Sequence, residues 1–451
     1  MKLLIITAFF PPGNSIAAHR PYSWAKYWSR AGHNVTVLTT LKKDKLENLR
    51  LSCTDFQLLE IPIPVIEPMR RLIYGTNKLE NGPKYDNSQG STSSSPRRLI
   101  RFWMNLFEKF QQKTGCFFHC RMPDFLDAWA LRAWSIIKES KWDLVISTAG
   151  PYSVHWPAAR SRYKDRARCW IADWRDLWID NHIYPGVPGF RFIEERLERS
   201  WCNSADIVTT VSEPLAKVLS HKYGRNIHVV YNGFDEEDYA KLPFKCPDYL
   251  KPYMENDVRT IVYTGTIYPP YQDPTPLFKA VSQLHEEGIL PADKLKIIFC
   301  GNNANIKNLA QKTQTTDFVD CIGVIPREDA LFLQRQAHAL LFLEFESDRI
   351  KGILTGKLFE YLYAGTPIVA IGLNDTSGPD KIIKEIRAGL SCGRDINLIK
   401  KTIHDLVFDY DNWQRKFAGK NDQRERLLNF YSRKTQAKKM LTLAMERLSA
   451  V

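Results

Sequence analysis

In the stretch Gly352–Val369 (GILTGKLFEYLYAGTPIV), Thr355, Gly356 and Lys357 stand together, and Glu360 follows three residues after the lysine. The pattern predicts a short helix from Lys357 to Tyr363, stopped by Gly365, with a strand opening at Pro367. A helix start offers N–H groups without intrahelical partners and the positive end of the helix dipole, which together suit a diphosphate. Gly356 lets the backbone approach a phosphate closely, and Lys357 adds a positive charge. Glu360, one turn further in, has the acceptor oxygens that two ribose hydroxyls need. The same residues also fit a plain strand–helix–strand connection with a surface Lys–Glu pair, and the pattern alone leaves both readings open.

A second constellation is Ile171–Trp178 (IADWRDLW). It follows a strand-like run, so Asp173, Arg175 and Asp176 are expected at the carboxyl end of that strand, where α/β sheets bind ligands. An aspartate there can accept a proton from an acceptor hydroxyl or hold a sugar hydroxyl; it can equally form a structural Asp–Arg pair. His155, beside Trp156 in GPYSVHW, is a weaker candidate, because a lone histidine next to a tryptophan is more often structural.

The elements that must position these residues are short apolar strands alternating with helical patterns, the mark of a doubly wound α/β fold. In the first half, strands are expected in KLLIITAFF, HNVTVLTT, DLVIST, CWIADW and DIVTTVS, and a helix through PYSWAKYWSRAG ends at Gly32. In the second half they are expected in TIVYTGT, KLKIIFCG, FVDCIGVI, HALLFLEF and PIVAIG. The expectation is two Rossmann-like halves joined near residues 230–256, facing across a cleft. The tail (RERLLNFYSRKTQAKKMLTLAMERL) reads as helical.

Residues 77–95 are polar and rich in Gly and Ser, a composition that reads as mobile. Residues 96–121 then carry six Arg/Lys against one Glu. On a helical wheel Leu99, Phe102, Trp103, Leu106 and Phe110 share one face, opposite Arg97, Arg98 and Arg101. A basic amphipathic helix of this kind can lie in a membrane interface, through residues 96–113, or simply pack on a domain core.

The net charge of +13 favours anionic partners such as phosphate-bearing substrates, anionic lipid or nucleic acid. No nucleic-acid-binding module or aromatic–basic ladder appears, so nucleic acid is not expected as a partner. The nine cysteines are scattered without a C-x-x-C pair, which reads as buried thiols in a reduced compartment. The opening apolar run is too short to span a bilayer, and the expected location is cytoplasmic, with a peripheral membrane contact left open. No metal site is expected: the one D-x-D match, Asp409-Tyr410-Asp411, lies in a late helical pattern, and Asp235–Asp238 (DEED) reads as a solvated charge run. A G-x-G-x-x-G after the first strand is missing, which argues against a dinucleotide oxidoreductase.

GKLFEYLYAGTPIVA resembles the nucleotide-sugar motif of glycosyltransferase family 4, the retaining transferases of the GT-B fold. The resemblance extends through LLIITAFFPPGNSIAAHRPYSWAKYWSRAGHNVTVLTT, DLVISTAGPYSVHWPA, IADWRDLWIDN, ADIVTTVSEPLAKVL, VVYNGFD, IVYTGTIYP and GVIPREDALFLQRQAHALLFL in the family's order. The bacterial subgroup that builds cell-surface polysaccharides is the most similar. It implies an acceptor-binding domain over 1–232 with an insertion over 77–121, a nucleotide-sugar-binding domain over 233–425, and a last helix, 426–451, returning to the first domain. It implies a metal-independent, retaining hexosyltransferase that uses a UDP- or GDP-type sugar, without further cofactor, on a lipid-linked or oligosaccharide acceptor. Glu360 matches the glutamate that holds the ribose. Thr355, Gly356, Lys357 and Leu358 match the loop and helix start under the diphosphate. Gly265 and Thr266 match a phosphate-facing loop, Gly13 the N-terminal loop lining the cleft, and Arg20 an arginine of the first helix. Asp173 stands nearest the place of a catalytic-region histidine. Two departures are visible. Gly352 replaces the first glutamate of the family's paired-glutamate motif, and no Arg…Lys pattern follows Thr266. Arg349, Lys351 and Lys357 are then the expected cations for the leaving diphosphate. A nucleotide-sugar epimerase of the same fold and a non-catalytic nucleotide-binding homologue are the alternatives.

Overall fold

The structure, a computed structural model, describes residues 1–13, 15–42, 53–64, 95–117, 119–181, 184–240, 242–243, 245–254, 257–345, 354–372, 377–417 and 422–450. The chain divides into two units, Met1–Val230 with Ala437–Val451, and Tyr231–Gln436. The last helix, Arg433–Ser449, contributes to the first unit only from Ala437 onward; residues 426–436 stay with the second.

Unit 1 is built on a seven-stranded sheet. Its strands are β1 (Lys2–Ile6), β2 (Asn34–Thr40), β3 (Gln57–Ile61), β4 (Trp142–Ala149), β5 (Ala167–Trp174), β6 (Ile207–Thr210) and β7 (His228–Val229). They lie in the order β3-β2-β1-β4-β5-β6-β7, with every pairing parallel. A parallel sheet is covered on both faces, which is why Leu3 to Ile6 are almost fully buried without alternation. One covering layer stacks Trp24 and Trp28 of the Ile16–Arg30 helix at 5.9 Å against Ala437, Met440 and Ala444 of the last helix. The Trp28 indole N–H donates to the Ala437 carbonyl at 2.9 Å.

Unit 2 carries β8 (Arg259–Thr264), β9 (Leu295–Cys300), β10 (Val319–Gly323), β11 (Ala339–Leu343), β12 (Ile368–Ile371) and β13 (Gly389–Gly393). Their order, β10-β9-β8-β11-β12-β13, is that of a dinucleotide-type doubly wound sheet, again wholly parallel. Two apolar layers sandwich it: Leu277, Phe278 and Val281 on one face, Leu358, Phe359 and Leu362 on the other. In both units the strand order reverses beside the first strand, β1 next to β4 and β8 next to β11, and ligands bind beyond the strand ends at such a reversal.

Among the described residues, no helix is long and apolar enough to cross a membrane.

Candidate functional site

The glycine turn that leaves β8 and the helix Gly356–Ala364 meet in unit 2. Gly265 has φ +109°, a backbone state that residues with a side chain rarely adopt. Its amide donates to the Cys300 carbonyl at 2.7 Å. Asn303 pins the turn from both sides: its Nδ2 donates to the Gly265 carbonyl at 2.9 Å and its Oδ1 accepts from the Ile267 amide at 2.9 Å. The Tyr263 hydroxyl donates to the Thr266 carbonyl at 3.0 Å. The helix is fastened to the same strand, because the Tyr361 hydroxyl accepts the Thr264 amide at 2.9 Å. Leu358 and Phe359 are fully buried, so apolar packing sets how the helix start meets the turn.

Lys357 reaches from this helix start to the turn. A Cβ added at Gly265 would lie 3.2 Å from Lys357 Cε and 3.3 Å from Nζ. The ammonium sits 3.6 Å from the centre of the Tyr263 ring, a cation–π contact. Burial drives its pKa down from the lysine value to about 7, with Glu360 opposing the shift. Among the described residues no ion pair is formed by Lys357. Thr355 occupies the N-cap position in extended conformation but makes no side-chain cap, and its buried Oγ1 has no hydrogen-bond partner. Gly356 is buried, and Gly265 and Thr266 are exposed. The site therefore gathers uncapped amides, an unmatched hydroxyl and a strained lysine charge, and an incoming anion would relieve all three.

Glu360 is held rather than open. Arg327 Nη2 donates to its Oε1 at 2.8 Å, and Arg433 Nη2 lies 3.9 Å away. Burial alone would raise the pKa of this carboxyl, but the two guanidiniums keep it below the usual carboxylate range. Arg327 and Arg433 also pair with Asp238, at 2.9 and 3.5 Å. Asp238 is thus structural, and Asp235 is buried and caps the helix Glu236–Tyr239, so the solvated-run reading of Asp235–Asp238 is corrected for both. With one oxygen fixed by Arg327 and the side chain 14% exposed, Glu360 presents a carboxylate of defined orientation.

The unit 1 candidates fall into a different kind of arrangement. Asp173 is fully buried and accepts four hydrogen bonds: Arg20 Nε at 3.0 Å, Arg20 Nη2 at 2.7 Å, Thr148 Oγ1 at 2.7 Å and Thr209 Oγ1 at 2.7 Å. Burial would raise its pKa, yet Arg20 and the two hydroxyls hold it down. Arg20 in turn donates to the Val230 carbonyl at 2.7 Å. This is a satisfied structural pair joining the first helix to β4, β5 and β6. Arg175 is spent on the carbonyls of Ala149 at 2.8 Å and Gly150 at 2.6 Å, and Asp176 is exposed. His155 is buried against Trp174, with Nδ1 2.7 Å from Ser147 Oγ, and burial lowers its pKa to about 3. Gly13 lines a cavity at the carboxyl edge of the unit 1 sheet. Arg349, Lys351 and Gly352 lie outside the described residues, as do residues 77–94.

The sequence reading did not single out Arg327, Arg433, Asn303 or Tyr361. Arg327 opens a helix just after β10 in GVIPRED, where a cation can face the next layer, and that placement was a readable signal. Among the described residues no group of three or more His, Cys, Asp or Glu side chains is arranged to hold a metal ion.

Residues 105–238 match the family described as Glycosyltransferase Family 4. No curated protein matches the chain. Among solved structures, the sucrose-phosphate synthase of Thermosynechococcus elongatus is 13% identical with a TM-score of 0.64, the match covering 100% of this chain and 99% of that one. Anabaena HepE in complex with UDP and glucose is 12% identical with a TM-score of 0.57, covering 100% of each chain. WaaG, a glycosyltransferase involved in lipopolysaccharide biosynthesis, is 11% identical with a TM-score of 0.52, covering 95% of this chain and 99% of that one. A UDP-N-acetylglucosamine 2-epimerase is similar too, at 12% identity and a TM-score of 0.50 over 98% of this chain and 94% of that one. The fold is that of the GT-B glycosyltransferases, two doubly wound Rossmann-like units, and the resemblance to family 4 rests on the matched segment together with that fold.

Proposed function

We propose that this chain, GT-B in fold and matched in part by glycosyltransferase family 4, transfers a sugar from a nucleotide-diphosphate sugar to a saccharide acceptor. The observation that carries the reading is the Lys357 ammonium, half-buried without an ion-pair partner among the described residues, at an uncapped helix start against the Gly265 turn. A diphosphate supplies the charge this place lacks. The amides of the helix start and Lys357 then stabilise the departing diphosphate, which needs charge neutralisation more than covalent assistance. Glu360, oriented by Arg327, receives the ribose hydroxyls. The donor is of the UDP or GDP type, and UDP is held by the similar HepE structure.

The finer reading is a metal-independent transferase of the hexosyl type that retains anomeric configuration and acts on a lipid-linked acceptor in cell-surface polysaccharide synthesis. The family resemblance and the involvement of WaaG in lipopolysaccharide biosynthesis support it. A cytoplasmic enzyme working at the membrane surface fits the helix Ser95–Thr114, on which Trp103, Leu106 and Phe110 are 59%, 47% and 40% exposed. Apolar side chains of this size on a basic helix suit a bilayer interface. Flotation with anionic and neutral liposomes tests this; binding that survives charge reversal at Arg97, Arg98 and Arg101 contradicts it.

A nucleotide-sugar epimerase is the second reading, favoured by the shared fold. One experiment separates the readings: incubation with a panel of UDP- and GDP-sugars, with and without saccharide lipids extracted from bacterial membranes, followed by mass spectrometry and NMR of the donor. Acceptor-dependent release of nucleoside diphosphate supports transfer. An altered sugar in donor-only samples supports epimerisation, and binding without either change supports a non-catalytic binder.

A further inference from the structure

Unit 1 contains a cavity of about 310 Å³ at the carboxyl ends of β1, β2 and β3. Phe9, Gly13, Thr40, Lys42, Ile63 and His119 are among its lining residues. Its size is at the lower end of small-molecule sites, enough for one ring and its substituents.

The segment carrying His119 is fixed with unusual thoroughness. Arg121 is fully buried and donates to Glu194 Oε2 at 2.6 Å and to the Trp178 carbonyl at 2.8 Å. Glu194 Oε1 takes the Met122 amide at 2.7 Å. Gly186 leaves room for the guanidinium; a Cβ there would lie 2.7 Å from Arg121 Nε. Asp124, 5% exposed, accepts the His119 amide at 2.8 Å and places Oδ1 3.2 Å from His119 Nδ1. Phe117 and His119 both hold left-handed φ values, 56° and 63°, which residues with side chains rarely adopt. A buried ion pair, a capping carboxylate and a left-handed backbone thus converge on presenting one imidazole at the cavity wall. In the neutral imidazole, Nδ1–H on the Asp124 carboxylate leaves the other ring nitrogen, Nε2, as an acceptor. Phe9 stands edge-on to this imidazole, with ring centres 6.1 Å apart.

We infer that this cavity holds a pyranose ring of the acceptor saccharide, with His119 Nε2 accepting from a ring hydroxyl and Phe9 against the ring's C–H face. The inference rests on the transferase reading and adds the residues that would hold the acceptor. A sugar ring offers what the walls complement: hydroxyls at its edge and an apolar face for an aromatic. The Lys42 ammonium, which donates to the Ala8 carbonyl at 2.6 Å and to Thr40 Oγ1, keeps its charge at the cavity wall, so free phosphate is the rival occupant that the test must separate. Asp124 acts through His119 and is a positioning residue.

The test uses the full chain labelled at histidine Cε1, with UDP or GDP present, titrated with the methyl glycosides of glucose, galactose, mannose and N-acetylglucosamine, and separately with sodium phosphate. The His119 signal is assigned by its loss in His119→Gln. At least one glycoside is expected to shift it saturably, and His119→Gln is expected to weaken that glycoside's calorimetric affinity roughly three- to tenfold, the worth of one hydrogen bond. If UDP or GDP binds but no glycoside moves the His119 signal, or phosphate alone moves it, the assignment falls while the transferase reading stands. If neither nucleotide binds, the transferase reading fails and takes this assignment with it.

Discussion

Nucleotide-sugar affinity should fall with rising pH, because of Lys357. Burial lowers this amine to about 7 in the ligand-free protein, so near neutrality it is only half charged. A diphosphate at the helix start restores the charged form and raises the pKa toward its ordinary lysine value. The depressed pKa means the unfolded chain binds the extra proton, so ligand-free stability rises between the folded and unfolded values and is lower on the acid side. Binding runs the other way, since only the protonated amine pairs with the ligand. From about pH 6.5 to about pH 8.5 the protonated fraction of the free protein drops roughly 25-fold, so affinity should drop by the same factor, about 1.9 kcal/mol. A nucleotide sugar is the right probe, because its diphosphate is esterified at both ends and keeps its charge over this range. The assay is calorimetry in buffers of different ionisation enthalpy, which also counts the protons taken up, close to one at about pH 8. Lys357→Met should bind weakly and without this pH dependence. Flat wild-type affinity, or an unchanged slope in Lys357→Met, would refute the argument.

Two further outcomes follow from the same geometry. Gly265→Ala puts a methyl group 3.2 to 3.3 Å from the end of Lys357 at a φ of +109°, so donor affinity should fall while unit 1 is undisturbed; calorimetry and circular dichroism check both parts. Asp173→Asn leaves the buried Arg20 charge uncompensated and should cost about 3–5 kcal/mol of stability in urea unfolding, with nucleotide binding by the native fraction unchanged. Native stability with abolished transfer in Asp173→Asn would instead give Asp173 a chemical role.

The strands were legible wherever a parallel sheet buries both faces, because LLII, KIIF and IVAI leave no other place for so much apolar surface. β3, β7 and β13 were not: QLLEI is an edge strand with partly exposed positions, β7 is two residues long, and GLSCG is too poor in apolar side chains to announce a strand. The helix start at Lys357 could be read because a glycine, a cation and a C-terminal glycine stop lie within ten residues of chain. What Glu360 and Asp173 touch could not be read. Arg327 lies 33 residues before Glu360, and Arg20 lies 153 residues before Asp173, so only the folded topology brings them together. That is why one glutamate is a fixed, partly exposed carboxylate and one aspartate a saturated structural group. The His119 segment carries no motif, although Asp124 three residues before Asp127 marks the capping box that orients it.

A sugar nucleotide is expected to dock on unit 2, with its phosphates on the helix start and its pentose on Glu360. A crystal structure of the protein with a nucleotide-diphosphate sugar tests it most directly. The expected complex has phosphate oxygens within hydrogen-bond distance of the Gly356–Leu358 amides and Lys357 Nζ, and ribose hydroxyls on Glu360. A nucleotide bound elsewhere, with the Lys357 amine and Glu360 untouched, would contradict the account.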